Sequence, residues 1–311
     1  MAPTLGLDVG GTKIAAGLVD THGSLIHTAN RPTPRGDADT IWSAVEELIV
    51  EALTAAGGVR AVGISSAGPI DGRGGTVSPI NITAWQHFPI VDRLAAVVPG
   101  VPVRLGGDGL CMTLGERWRG AATGADFVLG MVVSTGIGGG LLLDGIPYQG
   151  RTGNAGHVGH VVVEPDGEPC SCGGRGCVET VASGPHLTRW ALRHGWAGPR
   201  GADAEQLADA ARAGNAVALA AFARGGRALA AVIASVAAVC DLDLVVVGGG
   251  VARSGPLLFE PLRDALATRA SLEFIRGVRV VQAALDGNAG LIGAAALVNA
   301  VFGPQPLRRR T

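Results

Sequence analysis

The chain has 311 residues, 47% of them hydrophobic and 16% charged, with a formal net charge of -1. That length suits two lobes of about 150 residues, each with a core of its own, and the apolar content excludes a disordered chain. A balanced charge supplies no basic field for nucleic acid or an anionic membrane, so neither is expected as a partner.

Met1 to Leu7 lacks a basic stretch followed by a long apolar core. No later segment runs about 18 apolar residues free of charges or glycine clusters, so a cytoplasmic protein is expected. The opening "LGLDVGGTKIAAGLVDTHGSLI" predicts a strand, a glycine turn, a second strand and, after Thr21 to Gly23, a third. In "DTIWSAVEELIVEALTAAG" the apolar residues Ile41, Val45, Leu48, Ile49 and Ala52 keep helical spacing, and Gly57 ends the pattern. "RAVGISSAG" and "VPVRLGGDG" then read as buried strands that run into glycine loops.

The second half repeats the plan. "FVLGMVVSTGIGGGLLLDGIPY" predicts two strands joined by a glycine-rich hairpin, and a helical region follows over about 204–240. "DLDLVVVGGGVA" and "VRVVQAAL" are strands, and "AGLIGAAALVNAVF" is a closing helix. Two lobes that each begin with a glycine hairpin predict an internal duplication. The expected division is an N-terminal lobe over 1–115, to which a C-terminal helix over 289–311 returns, and a C-terminal lobe over 116–288. Arg308, Arg309 and Arg310 read as a solvated tail. Cys111 and Cys240 stand alone in apolar surroundings and read as small buried hydrophobes.

Three loops place glycines at the ends of apolar strands, where backbone N–H groups can approach an anion without a Cβ in the way. They are Asp8-Val9-Gly10-Gly11-Thr12-Lys13, Ser134-Thr135-Gly136 with the glycines that follow, and Gly248-Gly249-Gly250-Val251. Taken singly, each is equally a plain hairpin turn. Taken together they outline a phosphate site, with Asp8 placed to reach a magnesium ion through water and Thr12 and Thr135 placed to offer hydroxyls. None fits the P-loop pattern or the strand-loop-helix context of a dinucleotide fingerprint.

A fourth cluster has different chemistry. His160, Cys170, Cys172 and Cys177 form a soft, four-ligand set spaced C-x-C and C-x4-C, with Gly173, Gly174 and Gly176 supplying tight turns. Four protein ligands of this kind suit a structural zinc knuckle over 160–177.

In this order and spacing, "DVGGTK", "STGIGGG", the His/Cys cluster and "VVVGGGV" resemble the ROK family of sugar kinases and sugar-responsive repressors. The resemblance covers nearly the whole chain. It implies an α/β chain with the two-lobed fold shared by actin-like ATPases, ribonuclease H and hexokinase, with ATP and Mg2+ in the cleft between the lobes. The implied reaction transfers a phosphoryl group to a sugar's primary hydroxyl, in an assembly of two or four chains. By the same resemblance Asp108 is the catalytic base, although an aspartate at a strand end also serves as an Asx-turn or a helix cap. Gly68 and Asn81 match positions that line the sugar site, and Ser66 neighbours them. Zinc would hold His160 rigid and set Glu179 to bind sugar hydroxyls.

The chain departs from the family at the acceptor side. Gly106 and Gly107 stand where the family has Glu-Asn before the aspartate, and His157 stands where it has a sugar-binding carboxylate in E-x-G-H. Losing those partners weakens a plain glucokinase reading, since each unpaired buried hydroxyl costs roughly 1–3 kcal/mol. The expected acceptor is therefore a glucose-like sugar, an amino sugar such as kanosamine, or a C7-cyclitol. The competing reading is a catalytically silent sugar sensor. A repressor is not expected, because Asp8 follows only seven residues and leaves no room for a helix-turn-helix.

Overall fold

The computed structural model describes residues 1–299. These divide into two compact units. The first takes in Met1–Asp126, Gly140–Gly156 and the chain from Ala284 onward, and the second takes in Phe127–Gly139 and His157–Ala283.

The first unit opens with the three strands that the hydrophobic pattern predicts, β1 (Thr4–Val9), β2 (Lys13–Val19) and β3 (Leu25–Pro32). They are antiparallel, and because Val9 stands opposite Ile14 the glycine turn falls between β1 and β2. Helix α1 (Ala38–Ala56) follows. Its N-cap Asp37 accepts a 2.8 Å hydrogen bond from the Thr40 N–H, and it ends at Gly57, whose φ of 66° favours glycine. The face it buries carries Ile41, Val45, Leu48, Ile49 and Ala52, as the spacing predicts, together with Trp42.

Next come β4 (Ala61–Ser66), the short hairpin β5 (Ile70–Asp71) and β6 (Thr76–Val77), α2 (Ile90–Val97), β7 (Val103–Gly107) and α3 (Asp108–Arg119). Strand β4 is parallel to both β1 and β7, so the sheet order is β3-β2-β1-β4-β7.

The remaining strands are β8 (Val128–Val133), β9 (Ile137–Leu143), β10 (Ile146–Tyr148), β11 (Leu244–Gly248) and β12 (Arg279–Gln282). Their order is β10-β9-β8-β11-β12, with β11 parallel to β8 and β12. Leaving the small hairpin aside, each sheet is laid down as third, second, first, fourth and fifth strand. That is the repeat implied by the two glycine hairpins.

The helices of the second unit are α4 (Glu179–Ala182), α5 (Gly184–Arg193), α6 (Ala204–Arg212), α7 (Ala216–Cys240), α8 (Pro256–Arg269) and α9 (Glu273–Arg276). The helical region expected over 204–240 is thus two helices. Asn215 restarts the second by accepting a 3.0 Å bond from the Ala218 N–H. Among the described residues α7 alone is long and apolar enough to cross a membrane, yet 56% of its apolar window is buried, as in a core helix. Arg224 to Arg227 interrupt it with two charges and two glycines.

Helix α10 (Ala289–Val298) belongs to the first unit. The rest of the helix expected over 289–311, and the three terminal arginines, lie outside the described residues. Small residues let α10 press onto its neighbours. A Cβ on Gly63 of β4 would overlap the carbonyl of Ala294, and one on Gly293 would overlap the carbonyl of Cys111 on α3. Cys111 is buried as expected, whereas Cys240, at the end of α7, is only partly buried.

Candidate active site

In the first unit the expected phosphate turn is closed by a 3.0 Å bond from the Gly10 N–H to the Lys13 carbonyl, and the Thr33 hydroxyl donates to the Gly10 carbonyl at 2.6 Å. Thr12 and Lys13 are exposed at its tip. Gly11 packs so tightly on Asn81 that a Cβ would overlap the Asn81 side chain, so two residues expected in different subsites are neighbours. Gly68 accepts a 3.2 Å bond from the Ile80 N–H, which fastens the loop after β4 to the segment that carries Asn81. The Ser66 hydroxyl donates to the Ala67 carbonyl at 3.0 Å.

Asp8 ends near the first turn of α10, where a Cβ on Gly290 would lie 2.7 Å from its Oδ2. The fully buried Ser65 donates a 2.7 Å hydrogen bond to Asp8 Oδ1. Burial raises the Asp8 pKa above the usual carboxylate value, against the Ser65 bond and the charge of Lys13. Asp108 opens α3 directly after β7, with Gly107 as N-cap and the Gly109 N–H donating to its Oδ1 at 2.7 Å. Burial, and after it the charge of Asp8, lifts the Asp108 pKa to about 6. The residue nevertheless keeps part of its surface open to solvent. An enclosed carboxyl that a small molecule can still reach, with a pKa below neutrality, can accept a proton at physiological pH.

In the second unit the other two glycine loops meet. Gly249 has a φ of 96° and lies against the backbone of Val133, and a Cβ on Gly250 would stand 3.4 Å from the Ser134 hydroxyl. The Ser134 N–H bonds to the Gly136 carbonyl at 2.9 Å, and the Gly184 N–H bonds to the Ser134 carbonyl at 2.8 Å. Thr135 is exposed at the tip, and Gly248 is buried as the last residue of β11.

Glu179, expected at the sugar, accepts a 2.8 Å hydrogen bond at Oε2 from the Ile137 N–H, and Gly136 lies against the same oxygen. His157 precedes a short helical turn, with its ring 5.3 Å from that of His160. Burial, and then the neighbouring His160, lowers its pKa.

The donor atoms of His160, Cys170, Cys172 and Cys177 all lie within 4.8 Å of one another. Cys172 and Cys177 Sγ are 3.7 Å apart, and Cys170 Sγ is 3.6 Å from His160 Nδ1. Tetrahedral zinc, with Zn–S of about 2.3 Å and Zn–N of about 2.0–2.1 Å, requires edges of about 3.8 Å and 3.6 Å. Burial and the two neighbouring thiols push Cys177 up to about 12, and a cation bound among the sulfurs would favour its thiolate instead. The Gly174 N–H donates to Cys172 Sγ at 3.4 Å, which favours a thiolate. The donor set therefore fits zinc.

Sequence reading missed three supporting groups. Ser65 and Thr33 carry no motif; they matter because β4 and the end of β3 lie beside the first glycine turn. Glu116 is fully buried, and its carboxylate accepts hydrogen bonds from the Ala121, Ala284 and Leu285 N–H groups at 2.7–3.1 Å. It fixes the segment that leads into α10. A lone Glu inside an apolar helix was its only signal.

Asp8 to Lys13, Gly68, Asn81, Gly107 and Asp108 thus belong to the first unit. Ser134 to Gly136, Gly248 to Gly250, His157, His160 and Glu179 belong to the second.

The chain is 37% identical to a glucokinase from Thermotoga maritima, over 96% of this chain and 98% of that protein. It is 35% identical to an N-acetylmannosamine kinase from Yersinia pestis, over 95% and 98% respectively. The crystal structure of a ROK family glucokinase from Streptomyces griseus, in complex with glucose and AMPPNP, superposes with a TM-score of 0.83 at 36% identity, over 95% of this chain and 98% of that one. The ROK family model matches residues 4–301, and the chain therefore belongs to the ROK family.

Proposed function

We propose that this chain is an ATP-dependent kinase that phosphorylates the primary hydroxyl of a hexose or hexose-like acceptor. The observation that carries the reading is Asp108, an enclosed but reachable carboxyl at a strand-to-helix junction with its pKa near 6. The relatives named glucokinase and N-acetylmannosamine kinase support a sugar as acceptor.

In this mechanism Asp108 accepts the proton of the attacking hydroxyl as its oxygen forms a bond to the γ-phosphorus of ATP. The bond from that phosphorus to the β,γ-bridging oxygen breaks, and its electron pair leaves with ADP. Backbone N–H groups of the turns at Gly10 to Lys13, Ser134 to Gly136 and Gly248 to Gly250 hold phosphate oxygens, and Lys13 adds a positive charge. Asp8, fixed by Ser65, would hold hydrated Mg2+, which neutralises charge on the phosphates. Positioning supplies most of the acceleration.

Gly68, Asn81, Gly107, His157, His160 and Glu179 are the candidate acceptor-binding residues. Neutral His157 can donate a hydrogen bond to a carbonyl, which a carboxylate cannot. The acceptor is thus a glucose-like sugar, an amino sugar such as kanosamine or a C7-cyclitol, and the working assembly is a dimer or tetramer. ADP release measured across those acceptors tests the reading. Binding without turnover of any of them would instead identify a silent sugar sensor.

A further inference from the structure

Most glycines of the first unit have an evident reason to be glycine. A Cβ on Gly6 would overlap the Leu291 carbonyl, one on Gly63 the Ala294 carbonyl, one on Gly115 the Ala289 carbonyl and one on Gly11 the Asn81 side chain. On Gly106 it would stand 2.7 Å from Leu297 Cδ1 and 3.2 Å from Cys111 Sγ. Other glycines, such as Gly57, Gly100 and Gly124, have open space around them but take positive φ values of 66°, 77° and 87°.

Gly107 has neither reason. Its φ of -67° and ψ of 150° suit any residue, and apart from its chain neighbours Gly106 and Asp108 no residue has an atom within 4 Å of the point where a Cβ would stand. Backbone strain and protein packing both permit a side chain there, and alanine at such a position would restrict the unfolded chain and add stability. The exception occurs directly before Asp108, whose Cα is one peptide away, about 3.8 Å. Gly277 shares the open space and an ordinary φ of -77°, but it only closes the four-residue helix α9.

We infer that Gly107 is a specificity-determining residue whose missing side chain leaves room beside the base for a substituent on the acceptor. The acceptor class is a polyol ring carrying a compact branch of two or three non-hydrogen atoms, such as an N-acetyl group or an extra ring-borne carbon, in preference to an unbranched hexose. Glycine brings no polar side-chain atom to that place, so the recognition at 107 is by volume and not by a directed hydrogen bond. A group filling such a space gains contact, and a methyl placed there first excludes it.

The inference rests on the kinase reading for the role of Asp108, and its test separates the two. Gly107→Ala and Gly107→Asn would be compared with the wild-type protein for binding of glucose, N-acetylglucosamine, N-acetylmannosamine and a C7-cyclitol by calorimetry, and for ADP release with each. Thermal unfolding checks that both variants fold. The expected result is that Gly107→Ala lowers affinity for the best branched acceptor relative to glucose at least tenfold, and that Gly107→Asn lowers it further. A branched-to-glucose affinity ratio within twofold of wild type in both variants would overturn the inference. If the wild-type protein releases no ADP with any acceptor the kinase reading fails, while the affinity ratios still decide the role of Gly107.

Discussion

Asp108 titrates under the influence of Asp8: burial is the larger cause and the Asp8 charge the second, and together they lift the Asp108 pKa to about 6. Only the ionised carboxylate can accept a proton, so kcat/KM should rise with pH and level off above about 6. Removing the neighbouring charge with Asp8→Asn should lower the Asp108 midpoint, read by carbon-13 NMR of the carboxyls in the nucleotide-free protein. A flat kcat/KM profile from pH 5 to 8 would contradict the assignment of Asp108 as base.

Asp108→Asn should reduce kcat by about 10²–10⁴, the range for loss of a general base, while acceptor binding stays within a few-fold. Retention of a tenth or more of wild-type kcat would exclude the base role.

The same substitution carries a stability signature. A carboxyl whose folded pKa is raised binds its proton more tightly in the folded than in the unfolded chain, so stability falls as pH rises from about 4 to about 6 and the full penalty remains above. With allowance for its partial access to solvent, the penalty is on the order of 1–2 kcal/mol. Asp108→Asn should therefore raise Tm by about 2–3 °C at pH 8 and by about a third as much at pH 4.5. Equal shifts at the two pH values would show that ionisation is not the cause.

Elemental analysis should find one zinc per chain, held by His160, Cys170, Cys172 and Cys177. Chelation or Cys177→Ser should release it and lower Tm by several degrees, because metal binding is coupled to the folding of the knuckle. Full stability in metal-free protein would remove the structural role.

Glu179 braces the Ser134–Gly136 loop through the Ile137 N–H. Truncation by Glu179→Ala leaves that donor without its charged partner, a loss of about 1.5–3 kcal/mol. KM for ATP should rise as well as KM for the acceptor, because the loop that loses its brace is one of the three proposed to hold phosphate. An increase confined to the acceptor would mean that Glu179 serves only the sugar.

Close helix-to-sheet packing gives a further check. Gly63→Ala should destabilise the chain by about 2–3 kcal/mol, because the new methyl meets the Ala294 backbone, which cannot rotate away as a side chain can. Denaturant unfolding measures this directly, and a change below about 0.5 kcal/mol would show that α10 can shift.

Much of this was legible in the order of residues. Periodicity alone marked the strands from Thr4 to Pro32 and the buried face of α1, because alternation and 3.6-residue spacing are local consequences of which face is apolar. Local chemistry also located the glycine loops, and the spacing of His160, Cys170, Cys172 and Cys177 foretold a cluster that the fold does bring together. Asp108 was singled out by its place after a glycine strand end, through resemblance to a family.

Other features depend on contacts between residues far apart in sequence. Ser65 reaches Asp8 across 57 positions, and Glu116 gathers the N–H groups of Ala284 and Leu285 from 168 and 169 positions away. The shift in the Asp108 pKa, the engagement of Glu179 with Ile137 and the empty space beside Gly107 have no local signal. A sequence records which groups are available, whereas burial, the distance between charges and unfilled volume arise only when distant segments pack.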